Sequence, residues 1–465
     1  MILQKPALYT DLYELTMAQG YFLSGRHKQP ANFDYFFRSL PFDGGYVVFA
    51  GLGDLLDIIQ DFRFHSNELD YLRSQGFKEE FLNYLKDFTF SGNIYSVKEG
   101  EIVFPNEPIL RVEGTVLETQ ILETLILNTL NFSSLIATKA SRIKQAAGGH
   151  AVVDFGLRRA QGLGGLQASK SSIIGGFQGT SNILAGMLDD IPINGTMAHS
   201  WVQSFDDELT AFRTYAEHYP DASILLVDTY STLKQGVPNA IKVAKELEEK
   251  GHKLIGIRLD SGDLAYFARK SRKMLDDAGL DYVKIAASNQ LDEYLIKSLL
   301  DQGAPIDLFG VGTKLVTAYD DPALDGVYKL SSINGKPTLK ISENEEKLTL
   351  PDAKKIIRYF NPDGSFYSDG VALEDEENPD SIYHPYISHR STVVSKLKCE
   401  ELLQKVIENG EINISIPTIQ ESAEYARERL SKLNSEHKRF DNPHVYKVGL
   451  SKKLRELKIE LIQNA

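Results

Sequence analysis

Between Ala222 and Val316 short apolar runs and amphipathic stretches alternate four times. "ASILLVDTYST" is followed by "VPNAIKVAKELEEKG", "KLIGIRLDSGD" by "LAYFARKSRKMLDDAG", "YVKIAASNQ" by "LDEYLIKSLLDQG", and "IDLFGVGTKLV" closes the series. Each apolar run has the length of a buried strand. Each following stretch places apolar residues at helical spacing, as Ile241, Ala244 and Leu247 do before the stop at Gly251. A repeat of roughly 30 residues is the signature of parallel βα units, because parallel strands need a long crossover. The sequence therefore predicts an α/β fold with a parallel sheet.

That sheet constrains where a ligand can lie. The predicted strands end in Asp228, in Asp260, in Ser288-Asn289 and in Gly310 to Thr313. In parallel α/β folds the ligand sits beyond the carboxyl ends of the strands, so the four endings point to one site. The alternative is that each is only a helix cap or a turn.

Composition narrows the classes. With 51 Lys and Arg against 64 Asp and Glu, the net charge of -13 argues against a broad nucleic-acid face. Contacts to an anionic small molecule would have to be local, which draws attention to "FGLRRAQG" with Arg158 and Arg159. No run nears the ~18 apolar residues of a membrane helix, and the first residues lack the pattern of a secretion signal. Cys399 is the single cysteine, so no disulfide can form within the chain and a reducing, cytoplasmic setting is expected. A length of 465 residues predicts two or three domains.

Several segments carry groups suited to chemistry. "INGTMAHSWV" sets His199 among small residues, as core filler, metal ligand or reactive group; nearby partners at zinc spacing are missing. In "IRLDSGD", Arg258 and Asp260 lie two apart on a strand and share a face, suiting a phosphate beside hydroxyls or Mg2+; an internal ion pair is the plain alternative. "FGVGT" offers Gly310, Gly312 and Thr313 for close backbone approach to an anion, without the spacing of a P-loop or a dinucleotide fingerprint. "GGFQGTSNILAG" presents Thr180, Ser181 and Asn182 before an apolar helical run, as a cap or an anion site. Arg158 and Arg159 on an extended segment would face opposite ways. Phe155 and Tyr13 offer flat faces to a planar ring.

Elsewhere, "EIVFPNEPILRVEG" reads as a hairpin about Pro105-Asn106. "TVLETQILETLILNTLNFSSLIATKASRIKQAAGG" reads as helix broken near Asn131 to Ser134. After Val327 the alternation stops in favour of short strands and turns around an acidic loop. The polar helix "TIQESAEYARERLSKLNSEHKRF" follows, its charges a solvated face.

Taken together, "YTDLYELTMAQGYF", "DFGLRRAQG", "GGFQGTSNILAG", "GTMAHSWV", "VDTYST", "GIRLDSGDL" and "FGVGTKLVTAYDDPALDGVYKL" resemble, in this order, the nicotinate phosphoribosyltransferase family, from Tyr9 to at least Leu330. The resemblance implies an incomplete, TIM-like α/β barrel beside an N-terminal α/β domain, with a C-terminal extension. The corresponding boundaries are 1–137, 138–330 and 331–465, the last region packing on the first two. It implies a cytoplasmic enzyme of NAD salvage. Nicotinate would be joined to 5-phosphoribosyl 1-diphosphate, giving nicotinate mononucleotide and diphosphate. ATP as co-substrate, Mg2+ and a homodimer with a shared active site complete the implied reaction, which is ligase-type because ATP is hydrolysed.

Residue roles follow from the same resemblance. His199 would be transiently phosphorylated, and Thr196 would contact nicotinate. Tyr13 of the partner subunit and Phe155 would sandwich the pyridine. Arg158 and Arg258 would meet carboxylate and phosphates. Gly310, Gly312 and Thr313 would hold the 5'-phosphate. Asp228 and Asp260 would face the ribose and Mg2+, with Ser288 and Asn289 at the adjoining strand end. Thr180 and Ser181 would lie beside the base, where nicotinamide-using relatives carry an aspartate in place of Ser181. A nicotinamide or quinolinate phosphoribosyltransferase is the other reading. The ring nitrogen is itself a nucleophile, so displacement at ribose C1 needs no strong base. It does need charge stabilisation for the departing diphosphate.

Overall fold

The computed structural model describes residues 6–341, 349–387 and 389–464. Two compact units emerge, one from residues 1–138 with 323–465 and the other from 139–322. The sequence stretch read as short strands after Val327 includes residues 342–348, which lie outside the described residues.

In the second unit all four expected strands form, with the three expected helices between them. Five parallel strands lie in the order Ala151–Asp154, Leu308–Val311, Lys284–Ser288, Gly256–Leu259, Ile224–Leu226. The helices Val237–Glu249, Leu264–Asp277 and Glu293–Asp301 link successive strands. Their starts and stops follow local chemistry. Asp263 and Asp292 accept the N–H groups of Tyr266 and Leu295, and Gly251 takes a φ of +83 past a helix end. Beyond Asp154 the sheet continues through single parallel bridges, Asp154 to Thr180 and Thr180 to Ile193. Its other edge is Ile224–Leu226. This is an open, incomplete α/β barrel.

The first unit holds a seven-stranded and a six-stranded sheet. Strand Pro30–Phe37 sits between Leu110–Thr115 and Gly326–Ile333, both antiparallel, so residues far apart in sequence share one ladder. Three expectations are corrected here. Ile102–Val103 and Leu110–Thr115 do not form a hairpin: the former pairs with Val47–Val48, the latter with Pro30–Tyr35 and Asn93–Ser96. Asn106 does turn, at φ +68, but its N–H donates to Phe37 and carries the chain to a different partner.

The long helix breaks at Leu122, between Val116–Ile121 and Glu123–Ala147, and runs unbroken through Asn131 to Ser134. Those polar side chains bond sideways, Asn131 accepting from the Tyr35 hydroxyl at 2.9 Å and Ser134 from the Ala50 N–H at 3.0 Å. They therefore do not compete with the helix's own backbone.

The helix Ile419–Lys432 forms behind a Thr418–Glu421 capping box, yet its charges are not all solvated. Arg429 is buried and donates to Glu101 at 2.9 Å, while the Tyr425 hydroxyl donates to the same carboxylate at 2.6 Å. Arg358, fully buried, completes the hub: it donates to Glu101 at 2.6 Å, to Asp369 at 2.5 and 2.9 Å, and to the Ile102 carbonyl at 2.7 Å.

Beside this hub, Glu107 is fully buried and lies within reach of the Asp369 charge. Burial first, then the Asp369 charge, push the Glu107 carboxyl well above the usual carboxylate range. The folded state therefore holds this proton more tightly than the unfolded chain. Its stabilising contribution is full below the unfolded value and is lost as pH rises through the folded one. Glu107→Gln removes the titrating group and keeps an acceptor for the Phe104 N–H. Its melting temperature relative to wild type should rise as pH increases above the ordinary carboxylate range. A difference that does not change with pH would contradict a raised Glu107 carboxyl.

Candidate active site

The site is built at the carboxyl ends of the parallel strands, within residues 139–322. His199 opens the short helix His199–Gln203 and its imidazole is 40% exposed. Its Nδ1 lies 3.1 Å from the Thr229 hydroxyl. Its Nε2 faces two carboxylates, 4.0 Å from Asp228 Oδ1 and 3.8 Å from Asp260 Oδ2. Of the three sequence readings, core filler is therefore excluded by exposure. Among the described residues no group of three His, Cys, Asp or Glu side chains is arranged to hold a metal.

The carboxylates are themselves held. Asp228 Oδ2 accepts the Asp260 N–H at 2.8 Å and the Ser261 hydroxyl at 2.6 Å. Its Oδ1 is buried and accepts no hydrogen bond among the described residues. Asp260 receives the Ser288 hydroxyl. Ser288 is 4% exposed, so its hydroxyl serves Asp260 and not open space. Asn289 and Gln290 then turn the chain through φ +83 and +52, both exposed.

Arg258, on the adjoining strand, donates to the Thr196 hydroxyl. It does not form the ion pair with Asp263 that the sequence allowed, since Asp263 caps its helix. The Arg258 Nε is buried with no acceptor among the described residues. Burial holds its pKa below the usual arginine value. The charges of Asp260 and Asp228 oppose that, and Arg158 adds to it. Arg158 is thus close enough to Arg258 to feel its charge. Two arginines in one another's field, one with an unused N–H, favour an anion between them. Leu157–Arg159 form a 3-10 turn, so the expected alternation of Arg158 and Arg159 across an extended segment is replaced by two exposed neighbours.

Phe155 is half-buried and lies over the end of the neighbouring strand. A Cβ at Gly310 would come within 2.4 Å of its ring. Glycine is needed there to seat the aromatic ring, a reason the sequence did not disclose. Gly312 precedes the helix Thr313–Val316, which Thr313 begins.

Thr180 corrects another expectation. It is fully buried, and its hydroxyl donates to Asp154 at 2.7 Å while accepting the Asn182 N–H at 3.0 Å. That hydroxyl is occupied inside the protein and does not face a ligand. Asn182 caps the helix Ile183–Asp189 through the Leu184 and Ala185 N–H groups. Ser181 remains half-buried. Tyr13 belongs to the other unit, on the helix Leu12–Leu23, where it is 45% exposed. Burial, then Glu123, raise its hydroxyl pKa.

Thr229, Ser261 and Asp154 escaped the sequence reading. Thr229 and Ser261 follow Asp228 and Asp260 directly, and that adjacency was the one available signal. Asp154 was quoted within its motif, but nothing marked it as more than the end of a strand.

Comparison with known proteins accords with this geometry. Family models match in three segments: the nicotinate phosphoribosyltransferase N-terminal domain over residues 8–131, the nicotinate phosphoribosyltransferase family over 150–371, and its C-terminal domain over 353–458. The chain is 45% identical to the nicotinate phosphoribosyltransferase of Bacillus subtilis, over 96% of this chain and 93% of that protein. It is 38% identical to that of Dictyostelium discoideum, over 96% and 86%. The crystal structure of human nicotinic acid phosphoribosyltransferase superposes with a TM-score of 0.87 at 33% identity, over 97% of this chain and 99% of that one. With the order of its motifs, its open barrel and these matches in agreement, the chain belongs to the nicotinate phosphoribosyltransferase family.

Proposed function

We propose that this chain joins nicotinate to 5-phosphoribosyl 1-diphosphate, giving nicotinate mononucleotide and diphosphate for NAD salvage, and couples the transfer to ATP hydrolysis through phosphorylation of His199. The observation that carries the reading is one cluster: an exposed imidazole facing Asp228 and Asp260, beside a buried Arg258 with an unused N–H.

The imidazole is arranged for phosphoryl acceptance. When Nδ1–H donates to the Thr229 hydroxyl, the lone pair is on Nε2, the nitrogen that faces the carboxylates. Attack by Nε2 on the γ-phosphorus forms a P–N bond and releases ADP; water later breaks that bond and releases phosphate. The labile P–N bond lets formation and hydrolysis drive the site between tight and weak substrate binding.

Mg2+ fits the donor set. Asp228 Oδ1 is a buried carboxylate oxygen that accepts no hydrogen bond among the described residues, and Mg2+ is commonly held by one or two carboxylates plus substrate phosphates. Asp228 and Asp260 would hold it, and when bound it supplies neutralisation of phosphate charge. Arg258 and Arg158 take the remaining anionic charge, that of the nicotinate carboxylate and the diphosphate. Thr196, fixed by Arg258, and Phe155 flank the base, and Tyr13 of a second copy in a homodimer closes the sandwich. Gly310, Gly312 and Thr313 receive the 5'-phosphate. Ser181 suits a carboxylate better than an aspartate would, which favours nicotinate over nicotinamide.

The test is turnover of nicotinate, nicotinamide and quinolinate with the ribosyl diphosphate, with and without ATP, read by mononucleotide formation. Nicotinate is expected to lead, with ATP lowering its apparent KM. Faster turnover of nicotinamide or quinolinate overturns the reading.

A further inference from the structure

Asp154 ends the first strand of the barrel and is fully buried. Its Oδ1 accepts the Gly156 N–H at 2.7 Å. Its Oδ2 accepts two hydroxyls, Thr180 at 2.7 Å and Ser169 at 2.9 Å. The backbone repeats the same tie, since the Ser181 N–H donates to the Asp154 carbonyl at 2.8 Å and the Asp154 N–H to Gly179 at 2.9 Å. Thr180 then passes the connection on, its N–H bonding Pro192 at 3.0 Å and its carbonyl accepting Asn194 at 2.8 Å.

One carboxylate thus joins three segments. Gly156 opens the turn that displays Phe155 and Arg158, Thr180 precedes Ser181, and the strip after Pro192 leads to Thr196. Phe155, Arg158, Ser181 and Thr196 each lie within four residues of an atom in this network. Asp154 reaches none of the open cleft itself. An ion pair is not its purpose, since all three groups bonded to its carboxylate are neutral.

We infer that Asp154 is a positioning residue for base recognition: through Gly156 and Thr180 it sets the mutual placement of Phe155, Arg158 and Ser181. The inference rests on the proposed nicotinate site. A misplacement of these groups of about 1 Å is enough to cost on the order of 100-fold in a productive complex.

Asp154→Asn keeps the shape but turns one acceptor into a donor. Thr180→Val keeps the volume and removes the hydroxyl, whereas Thr180→Ser retains it. In steady-state assays of the full-length enzyme, the first two variants should raise the KM for nicotinate by roughly tenfold or more. The KM for the ribosyl diphosphate, which Arg258 also holds, should change less than that for nicotinate, and the rate of ATP hydrolysis should stay near wild type. Thr180→Ser should restore the nicotinate KM. A purely structural role would instead lower the melting temperature and scale kcat with the fraction of folded enzyme, leaving KM in place. That pattern, or an unmoved nicotinate KM, overturns the inference. If Asp154→Asn does not fold, Thr180→Val and Ser169→Ala decide by the same readout. A wild-type enzyme that does not use nicotinate overturns the proposed function; a wild type that does, with variants unaltered in nicotinate KM, overturns this inference alone.

Discussion

His199→Asn should reduce ATP hydrolysis to background while the protein remains folded and still transfers the ribosyl group slowly without ATP. Asparagine keeps a polar group near Thr229 but has no ring nitrogen with a lone pair, so no P–N bond can form. The slow transfer survives because displacement at C1 uses the substrate's own ring nitrogen and the arginines. On the proposed reaction the variant loses the drive supplied by a phosphorylated His199, so the apparent KM for both substrates should rise. Two readouts test this separately. Incubation with γ-labelled ATP should leave an acid-labile, base-stable label on wild type and none on the variant. ATP turnover by the variant at the wild-type rate would remove His199 from the reaction. The ring is partly exposed and packs no core, so a fall in stability is not an available explanation for lost activity.

Arg358→Met should destabilise the unit formed by residues 1–138 and 323–465 by about 3–5 kcal/mol, the usual cost of stranding buried charge. The guanidinium is fully buried and bridges Glu101 and Asp369, both also buried. Methionine fills the space but leaves these carboxylates facing one another, with Arg429 the remaining cation on Glu101. The appropriate control is Arg73→Met. Arg73 pairs with Asp70 and Glu79 on the surface, where all three side chains are 46% exposed or more. An exposed ion pair of this kind is screened by water and contributes little to stability. Urea denaturation followed by far-UV circular dichroism would compare the two. Equal midpoints for the two variants would mean that the buried hub does not hold this unit together.

The parallel-sheet unit was legible because its information is local. Asp228, Asp260, Ser288 and Gly310 each end an apolar strand, and the parallel rule alone brings such ends to one side. The relation of Arg258 to Asp260 was also readable, through the two-residue repeat of a strand. Other features were not. Thr180 looks like a ligand contact in sequence because a hydroxyl beside a helix start suits an anion, and Ser288 because it ends a parallel strand, yet the structure turns both hydroxyls inward, onto Asp154 and Asp260. Which way a hydroxyl turns depends on an acceptor tens of residues away. The hairpin expected around Pro105 failed likewise, because Ile102–Val103 finds its partner at Val47–Val48.

From its sequence alone the chain determined the alternation of strand and helix, the parallel sheet and the edge at which the polar strand-end residues gather, since these follow from hydrophobic period and chain connectivity. Tertiary structure decided the rest. It set which hydroxyls brace and which remain open, seated the Phe155 ring on Gly310, and drew Arg358 and Arg429 out of apparently solvated segments onto Glu101. Hydrogen bonds and buried charges of this kind join residues as much as 328 positions apart, and no local pattern records the partner that satisfies them.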